Sequence, residues 1–430
     1  MPGEREGKRR WTILALPAFF ALKVLSGLAL LKISAAFLPV ASFSVFSQFL
    51  LFSALLNMLS VGGAQTGLIR QIAAAGDDSD RARVRNAGLA IWTGAVVLLG
   101  VPSVAFASLI ADFLTGDPGA WWVVPAIALP ILAAGPGQIY CSMLTGLGRT
   151  PASLAAQSVG LLASTAGAVF GLARGDAALA VIAFSAGSLA TLLVSGLMVR
   201  QHRLPRGTLG HVFAEVRILF GYSGAFAVLA ILNAGIPFAL RYGYREAFGA
   251  EQLGYWMAAS RVSDTTTQLM ALYLIQIFMP RYTAAHVQDG RKVLRESWLA
   301  ATGIMVGFLI LFYAASGLLV PLFLSQKFTP AVPFILGYMT GDLFRATVSV
   351  AMYAAFARAK LIRYVGLEAG TLGLFAAIML LLIHFGRSDA PMIAYPAAYG
   401  ACALAVWIAY AVGSVRRRTL RESSAPPAGG

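Results

Sequence analysis

The sequence predicts an all-α integral membrane protein in which twelve helices cross the bilayer. The chain of 430 residues is 58% hydrophobic and only 12% charged, whereas soluble domains carry about 25% charged residues. The apolar residues fall in long runs, and the basic residues lie mostly between those runs. One globular core could not bury so much apolar surface, so lipid must cover most of it.

Each apolar run is long enough to cross the hydrocarbon core as a helix, which takes about 20 residues. Runs such as 308–311 and 379–382 are continuously apolar, whereas a membrane β-barrel would need strictly alternating polarity. Helices are therefore expected, because a helix satisfies its own backbone groups in lipid. The predicted spans are 12–38, 42–63, 87–111, 120–144, 153–173, 177–199, 218–243, 252–280, 298–323, 331–356, 364–386 and 392–414.

The basic residues between the spans predict their orientation. Most of the 33 Lys and Arg residues lie before the first span, in the loops after even-numbered spans, or after the last span. The alternate loops hold only Arg174, Arg245, Lys327 and Arg387. Because basic loops stay in the cytoplasm, we expect a multi-pass protein of the cell inner membrane with both termini cytoplasmic.

A basic loop divides the predicted spans into two equal sets. We expect an N-terminal six-helix lobe at 1–199, a cytoplasmic linker at 200–217 and a C-terminal six-helix lobe at 218–415. A basic and then disordered cytoplasmic tail is expected at 416–430. Both sets begin in the cytoplasm, so any repeat relation between them would be parallel.

Five basic residues lie inside predicted spans, where a charge costs at least about 2.5–3.5 kcal/mol. Lys23 is about 18 Å into the first span, so either it faces a wet cavity or a neighbouring helix pairs with it. Lys32 and Arg241 lie nearer the outer ends, where a long side chain can also reach the lipid headgroups. The remaining two are Arg261 and Arg345.

Both of those arginines have an aspartate three positions away. Arg261 precedes Asp264 in the eighth span, and Arg345 follows Asp342 in the tenth. Residues three apart share a helix face, so each pair could simply neutralise itself. Alternatively, the pairs line a polar centre and open when substrate binds. The first six spans contain no acidic residue in their interior, which favours an anionic substrate over a lipophilic cation.

The sequence carries no enzyme motif and no pattern of metal ligands. There is no P-loop and no HExxH, and the cysteines Cys141 and Cys402 lie in separate apolar runs. No basic groove interleaved with aromatic residues accompanies the net charge of +15, so nucleic acid is not expected as a partner. We therefore expect a protein that is not an enzyme and needs neither cofactor nor metal.

Several segments, in order along the chain, carry a family resemblance. They are 21–37, which contains Lys23 and Lys32, and then 253–264, 324–330, 341–346 and 366–370. In these segments the chain resembles the Wzx-type flippases for polyprenyl-linked oligosaccharides, and among them the flippases for the lipid intermediate of enterobacterial common antigen. These belong to the multidrug/oligosaccharidyl-lipid/polysaccharide exporter (MOP) superfamily. Arg261 departs from the pattern, which has a small polar residue there.

The resemblance implies two six-helix lobes around a central cavity that opens alternately to either side. The implied substrate is an undecaprenyl diphosphate-linked glycan, moved to the periplasmic leaflet for cell-surface polysaccharides such as O-antigen. A polysaccharide polymerase and a chain-length regulator are implied as partners in the same membrane. The diphosphate would be bound by cations, and carboxylates would hold those cations or couple transport to an ion. The candidate cations are Lys23, Arg261, Arg345, Lys32 and Arg241, and the candidate carboxylates are Asp264 and Asp342.

Two other transporter classes remain open. Major-facilitator carriers also have twelve spans in two parallel halves, and 76–81 begins the loop pattern common among them, although Arg83 stands where a glycine is expected. A multidrug exporter of the MOP superfamily is the second alternative. It would usually place a carboxylate inside the first-half spans, and this chain has none there.

Overall fold

The structure is a computed structural model that describes residues 2–62, 64–200, 212–284, 289–358 and 360–423. Within these ranges the chain is helical and contains no β-strand. It forms two compact units. The first unit comprises Met1–Met257 and Val320–Thr329, and the second comprises Ala258–Leu319 and Pro330–Gly430. The predicted linker at 200–217 and the predicted disordered end of the tail lie largely outside the described residues.

The first unit contains nine complete helices and most of a tenth. Short π-helical turns, Met58–Gly62 and Val96–Gly100, follow the second and fourth helices, and a 3-10 turn, Pro118–Trp122, precedes the seventh. The helices are α1 (Pro2–Phe37), α2 (Val40–Asn57), α3 (Ala64–Ala74), α4 (Asp78–Ala95), α5 (Val101–Ala105), α6 (Ala107–Thr115), α7 (Val123–Gly146), α8 (Thr150–Ala173), α9 (Ala177–Arg200) and α10 (Val212–Tyr273).

The second unit begins within α10 and, apart from Val320–Thr329, continues to the end of the chain. Helix α10 is interrupted at Gly249, whose φ of 87° is readily adopted only by glycine. A π-helical turn, Leu274–Phe278, follows α10, and a 3-10 turn, Gln326–Ala331, follows the twelfth helix. The remaining helices are α11 (Met279–Ala284), α12 (Asp289–Phe323), α13 (Val332–Ala357), α14 (Leu361–His384) and α15 (Ala390–Ser423).

Among the described residues, 9 helical stretches are long and apolar enough to cross a membrane. Large apolar side chains on them are exposed, such as Leu98 at 73% and Leu193 at 65%, as expected for a surface covered by lipid. An all-helical, multi-pass membrane protein is therefore confirmed. The predicted spans 218–243, 252–280 and 331–356 are not among the nine, so the count of twelve stays a prediction. The last two carry the Arg–Asp pairs, which lower their mean hydropathy.

Glycines bring α8 and α9 of the first unit into backbone contact. A Cβ added to Gly167 of α8 would lie 2.6 Å from the carbonyl oxygen of Ala183 on α9. Gly160 and Gly171 of α8 also face α9 where a Cβ would overlap it. Small residues allow such close approach in membranes, where van der Waals packing holds helices together.

The same device joins α13 and α15 in the second unit. A Cβ added to Gly337 of α13 would lie 2.6 Å from the Cβ of Met392 on α15, and one added to Gly341 would overlap the ring of Tyr395. The close approach places polar side chains of α13 directly against the tyrosines of α15.

Candidate functional site

A buried polar network connects α13 and α15 in the second unit. The Tyr395 hydroxyl donates a hydrogen bond to Oδ1 of Asp342 at 2.8 Å. It accepts one from Nη1 of Arg345 at 3.0 Å. The Arg345 guanidinium also lies over the ring of Tyr399, 5.6 Å from its centroid. Tyr395 thus bridges the two charged residues, which the sequence predicts only as a possible direct pair.

Helix geometry explains how these groups meet. Asp342 and Arg345 are three residues apart on α13, and Tyr395 and Tyr399 are four apart on α15, so each pair shares a helix face. The ring of Tyr338, one turn before Asp342, stacks on Tyr395 at 4.1 Å between centroids and an interplanar angle of 14°. This stacking fixes the direction in which the Tyr395 hydroxyl points.

Asp342 is 1% exposed, and its Oδ2 atom has no hydrogen-bond partner among the described residues. A buried carboxylate oxygen without a partner is unfavourable, and it is chemically suited to take up a proton or a small cation. The hydroxyl on Oδ1 and the guanidinium beyond it stabilise the ionised carboxylate. Asp342 therefore has the surroundings of a group that changes its charge or its partner.

The second Arg–Asp pair lies in the same unit, on α10. Arg261 is half-buried and interacts electrostatically with Asp264, whose side chain is exposed. Asp264 in turn lies near enough to Asp342 of α13 for the two carboxylates to repel each other. The structure therefore brings together the pairs that the sequence places in two separate spans. They form one charge cluster, which we define as Arg261, Asp264, Asp342, Arg345 and Tyr395.

A third carboxylate approaches this cluster from α14. Glu368 is half-buried and interacts electrostatically with Arg345. Sequence reasoning missed both Glu368 and Tyr395 as site residues. The signal available for Glu368 was an acidic residue inside the eleventh predicted span. For Tyr395 there was only the four-residue spacing to Tyr399.

Lys23 lies on α1 in the first unit. Its side chain is exposed, and it makes no hydrogen bond or ion pair with any residue that the structure describes. One turn further along, Ser26 is 6% exposed, while Leu25 on another face is 63% exposed. The sequence leaves two possibilities for Lys23, a wet cavity or a partner on a neighbouring helix. The structure shows no partner for this ammonium group among the described residues.

Lys32, on the same helix, is in a different situation. Its Nζ donates to the carbonyl oxygens of Pro321 at 2.7 Å and Leu324 at 3.0 Å. These carbonyls lie at the C-terminal end of α12, where helix carbonyls have no intrahelical partner. Lys32 therefore caps a helix end and is engaged within the first unit.

Arg241 is buried on α10, and its guanidinium lies over the ring of Trp256, 5.7 Å from the centroid. One turn later, Arg245 donates to the carbonyl oxygen of Asp112 at 3.2 Å and pairs with Glu246 at 3.1 Å. Both arginines are covered by the first unit. Arg241 is therefore a buried residue of the first unit that packs against an aromatic ring, unlike the exposed Lys23.

Residues 33–333 match the family of polysaccharide biosynthesis proteins. The chain belongs to that family. No curated protein is similar enough in sequence to count as a relative. The matched range includes Arg261 and Asp264 of α10 and the α12–α13 connection, and it begins just after Lys32 of α1.

Solved structures show the fold. A lipid II flippase, MurJ, in an inward closed conformation superposes with a TM-score of 0.72 at 11% identity, covering 93% of this chain and 87% of that one. A multidrug resistance MATE family transporter of the MOP superfamily, inward-facing, gives 0.70 at 14%, covering 96% and 100%. A MOP superfamily transporter from Pyrococcus furiosus gives 0.60 at 13%, covering 93% and 95%.

The chain therefore has the MOP fold, which excludes the major-facilitator alternative. These three proteins are a flippase and two transporters, and none of them is an enzyme. At such low identities the likeness establishes the fold alone. Membership of the polysaccharide biosynthesis family rests separately on the sequence match.

Proposed function

We propose that the protein moves an undecaprenyl diphosphate-linked oligosaccharide from the cytoplasmic to the periplasmic leaflet of the inner membrane. Its family supports a role in polysaccharide biosynthesis, and the fold that it shares with a lipid II flippase supports a lipid-linked substrate. Within this class, the sequence resemblance favours the intermediate of enterobacterial common antigen. Transport would proceed by alternating access, with the polyprenyl tail in lipid and the glycan in a wet path.

The observation that carries the proposal is the ammonium group of Lys23 in the middle of an apolar span, which is exposed and has no partner in the part of the chain that the structure describes. A charge in such a position is costly unless it serves a function. Helices α2, α7, α8 and α9 contain no acidic residue that could neutralise it. A diphosphate would supply the missing countercharge and accept charge-assisted hydrogen bonds from the ammonium group.

The charge cluster of the second unit contains further candidate cations. Arg261 and Arg345 are further cations for a diphosphate, and each interacts with carboxylates in the absence of substrate. In the proposed cycle, the substrate phosphates replace Asp264 and Asp342 as partners of these arginines. The released carboxylates then take up a cation or a proton, which couples transport to an ion gradient.

Mass spectrometry of lipid-linked saccharides tests the proposal directly. In cells depleted of the protein and lacking any redundant flippase, undecaprenyl diphosphate oligosaccharide should accumulate while surface glycan is lost. The mass of the accumulated species would identify the glycan. Unchanged lipid intermediates in these cells would contradict the proposal.

Replacing the central cation provides a second test. Lys23→Ala should abolish export while the protein still inserts into the membrane, because the diphosphate loses its first cation. Lys23→Arg should retain part of the activity, and Lys292→Ala, which removes an exposed lysine at the start of α12, should leave it intact. Normal surface glycan in cells that carry only the Lys23→Ala variant would show that Lys23 does not bind the substrate.

A multidrug-type transporter is the second candidate, because a MATE transporter shares the fold over the whole of its length. The Pyrococcus furiosus transporter has a binding pocket described as being of reverse polarity, so this fold accommodates pockets of different charge. The absence of acidic residues from four first-unit helices disfavours a cationic drug. If lipid intermediates stay unchanged while cells lacking the protein become sensitive to organic compounds, this candidate replaces the flippase.

A further inference from the structure

Two lysines join the ends of α1 and α12 within the first unit. Lys32 near the end of α1 donates to the last carbonyls of α12, as described above. In the opposite direction, Lys327, just after α12, donates to the carbonyl oxygens of Ala36 at 3.0 Å and Leu38 at 2.8 Å, at the end of α1. The end of α12 is thus capped by a lysine of α1, and the end of α1 by a lysine that follows α12. We call this arrangement the lysine clasp.

Neighbouring contacts hold the segment after α12 against the end of α1 and the start of α2. The Ser325 hydroxyl donates to the carbonyl oxygen of Ala35 at 2.8 Å. Phe328 is fully buried, and its ring meets that of Phe43 on α2 edge-to-face at 4.9 Å between centroids. The segment after α12 is therefore held against the α1–α2 junction by five hydrogen bonds and one aromatic contact.

The chemistry of the clasp makes it reversible. Every one of the five acceptors is a backbone carbonyl, and carbonyls at a helix C-terminus can exchange a lysine for water at little cost. Lys327 and Ala36 are exposed, so solvent has access to both.

The position of the clasp in the chain matters as much as its chemistry. The clasped segment Val320–Thr329 belongs to the first unit, although the residues on either side of it belong to the second. Helix α12 is interrupted shortly before the segment, at Ala315, where φ is −126° and ψ is 20°. Pro321 follows inside the same helix and removes another backbone hydrogen bond. Helical hydrogen bonding is thus interrupted twice near the end of α12, as a segment that changes position requires.

We propose that the lysine clasp is a latch that is closed in this structure and must open during each transport cycle. The proposal rests on the alternating-access function proposed above, because only a protein that changes conformation needs a latch. Lys327 and Ser325 act on the position of the segment and are not assigned to substrate binding.

Reversible cross-linking tests the latch. Ala36→Cys and Lys327→Cys would be combined in a chain whose native Cys141 and Cys402 are replaced by alanine. A short, reducible bis-thiosulfonate would then join the two new thiols. Export of the lipid-linked glycan should be lost on cross-linking and restored by reductant, whereas each single-cysteine variant should be unaffected by the reagent. Undiminished export by the cross-linked protein would show that the clasp stays closed throughout and is no latch.

Backbone hydrogen exchange separates failure of the latch from failure of the flippase proposal, because it needs no substrate. In membranes, the amides of 320–329 should exchange faster in Lys327→Gln than in the wild type, and slower in the cross-linked protein. The matched control, Lys292→Gln, should leave their exchange unchanged. One outcome is that cells show no export of the lipid-linked glycan by any variant while hydrogen exchange of the 320–329 amides changes as expected. In that case the flippase proposal fails and the latch stands. Equal exchange in Lys327→Gln and wild type would overturn the latch whatever the substrate.

Discussion

The α8–α9 pair of the first unit and the α13–α15 pair of the second are both packed through glycines, but they differ in what the contact encloses. In both, glycines let one helix approach the backbone or a large ring of the other. Apart from Arg200 at the end of α9, α8 and α9 contain no charged residue. The α13–α15 contact instead encloses Asp342, Arg345 and Tyr395. Close packing alone therefore gives stability, and close packing around charge gives a site that can change state.

Removing the cation from the α13–α15 pair should have the largest effect. Arg345→Met leaves Asp342 buried without the cation that Tyr395 connects to it, and removing one partner of a buried charge pair typically costs about 3–5 kcal/mol. Thermal unfolding in detergent should show a strongly lowered midpoint, and export should be lost. The double variant Asp342→Asn/Arg345→Met should recover much of the stability but none of the export. Equal stability of the single and double variants would mean that the charges are not coupled.

Overpacking the α8–α9 pair should come next. Gly167→Leu forces a side chain into the backbone of α9, and overpacking a tight contact costs about 1–3 kcal/mol. The measurements are the unfolding midpoint and the fraction of monodisperse protein after extraction. Gly303→Leu on α12 is the control, because a Cβ there meets nothing within 4 Å. A similar loss in both variants would show that the contact at Gly167 is not special.

Removing one hydroxyl from the network should have a smaller effect on stability than either change. Tyr395→Phe keeps the ring stacked on Tyr338 but deletes both hydrogen bonds, and an unsatisfied buried group costs about 1–3 kcal/mol. Export should slow more than stability falls, since Asp342 and Arg345 lose their bridge. Tyr313→Phe, at a residue that is 75% exposed, should change neither. If Tyr395→Phe exports at the wild-type rate, the hydrogen bonds of the Tyr395 hydroxyl are not needed for transport and only the packing of its ring matters.

The smallest effect is expected outside both helix pairs, at the turn between α14 and α15. Two hydrogen bonds from Arg387 lower the pKa of Asp389 from its usual value of 3.8. A lowered carboxyl pKa contributes stability above the unfolded-state value, and that contribution is lost as the pH falls through the folded-state value. Arg387→Gln should therefore lower the unfolding midpoint slightly at neutral pH and not at all under strongly acidic conditions. An equal difference at both pH values would rule out this ion pair as its cause.

The sequence predicts much of the fold because lipid imposes simple rules on it. Long apolar runs and the placement of basic residues were sufficient for an all-helical, multi-pass protein, and the resemblance carried by the segments around Lys23 and Asp342 predicted the fold that the solved structures share. The spacing of Asp342 and Arg345 also placed them on one face. These features are local in sequence, and helix geometry alone converts them into structure.

What could not be predicted depends on distances between helices. Tyr395 is 53 residues from Asp342 and 50 from Arg345, so no local pattern connects them. The engagement of Lys32 depends in the same way on carbonyls about 290 residues away, at the end of α12. The sequence distinguishes the two lysines of α1 only by their depth in the span. The tertiary structure adds that Lys32 is engaged, whereas Lys23 has no partner among the described residues.

The distance between Asp342 and Tyr395 also bears on how the protein is made. Helix α13 is not among the nine stretches apolar enough to cross a membrane by themselves, because it carries a charged pair. During synthesis α13 leaves the ribosome well before α15. The bridge between Asp342 and Arg345 therefore cannot form until Tyr395 of α15 has been synthesised. Stable insertion of α13 therefore depends on a later part of the same chain. A chain truncated before α15 should leave α13 at the translocon, exposed to quality-control proteases.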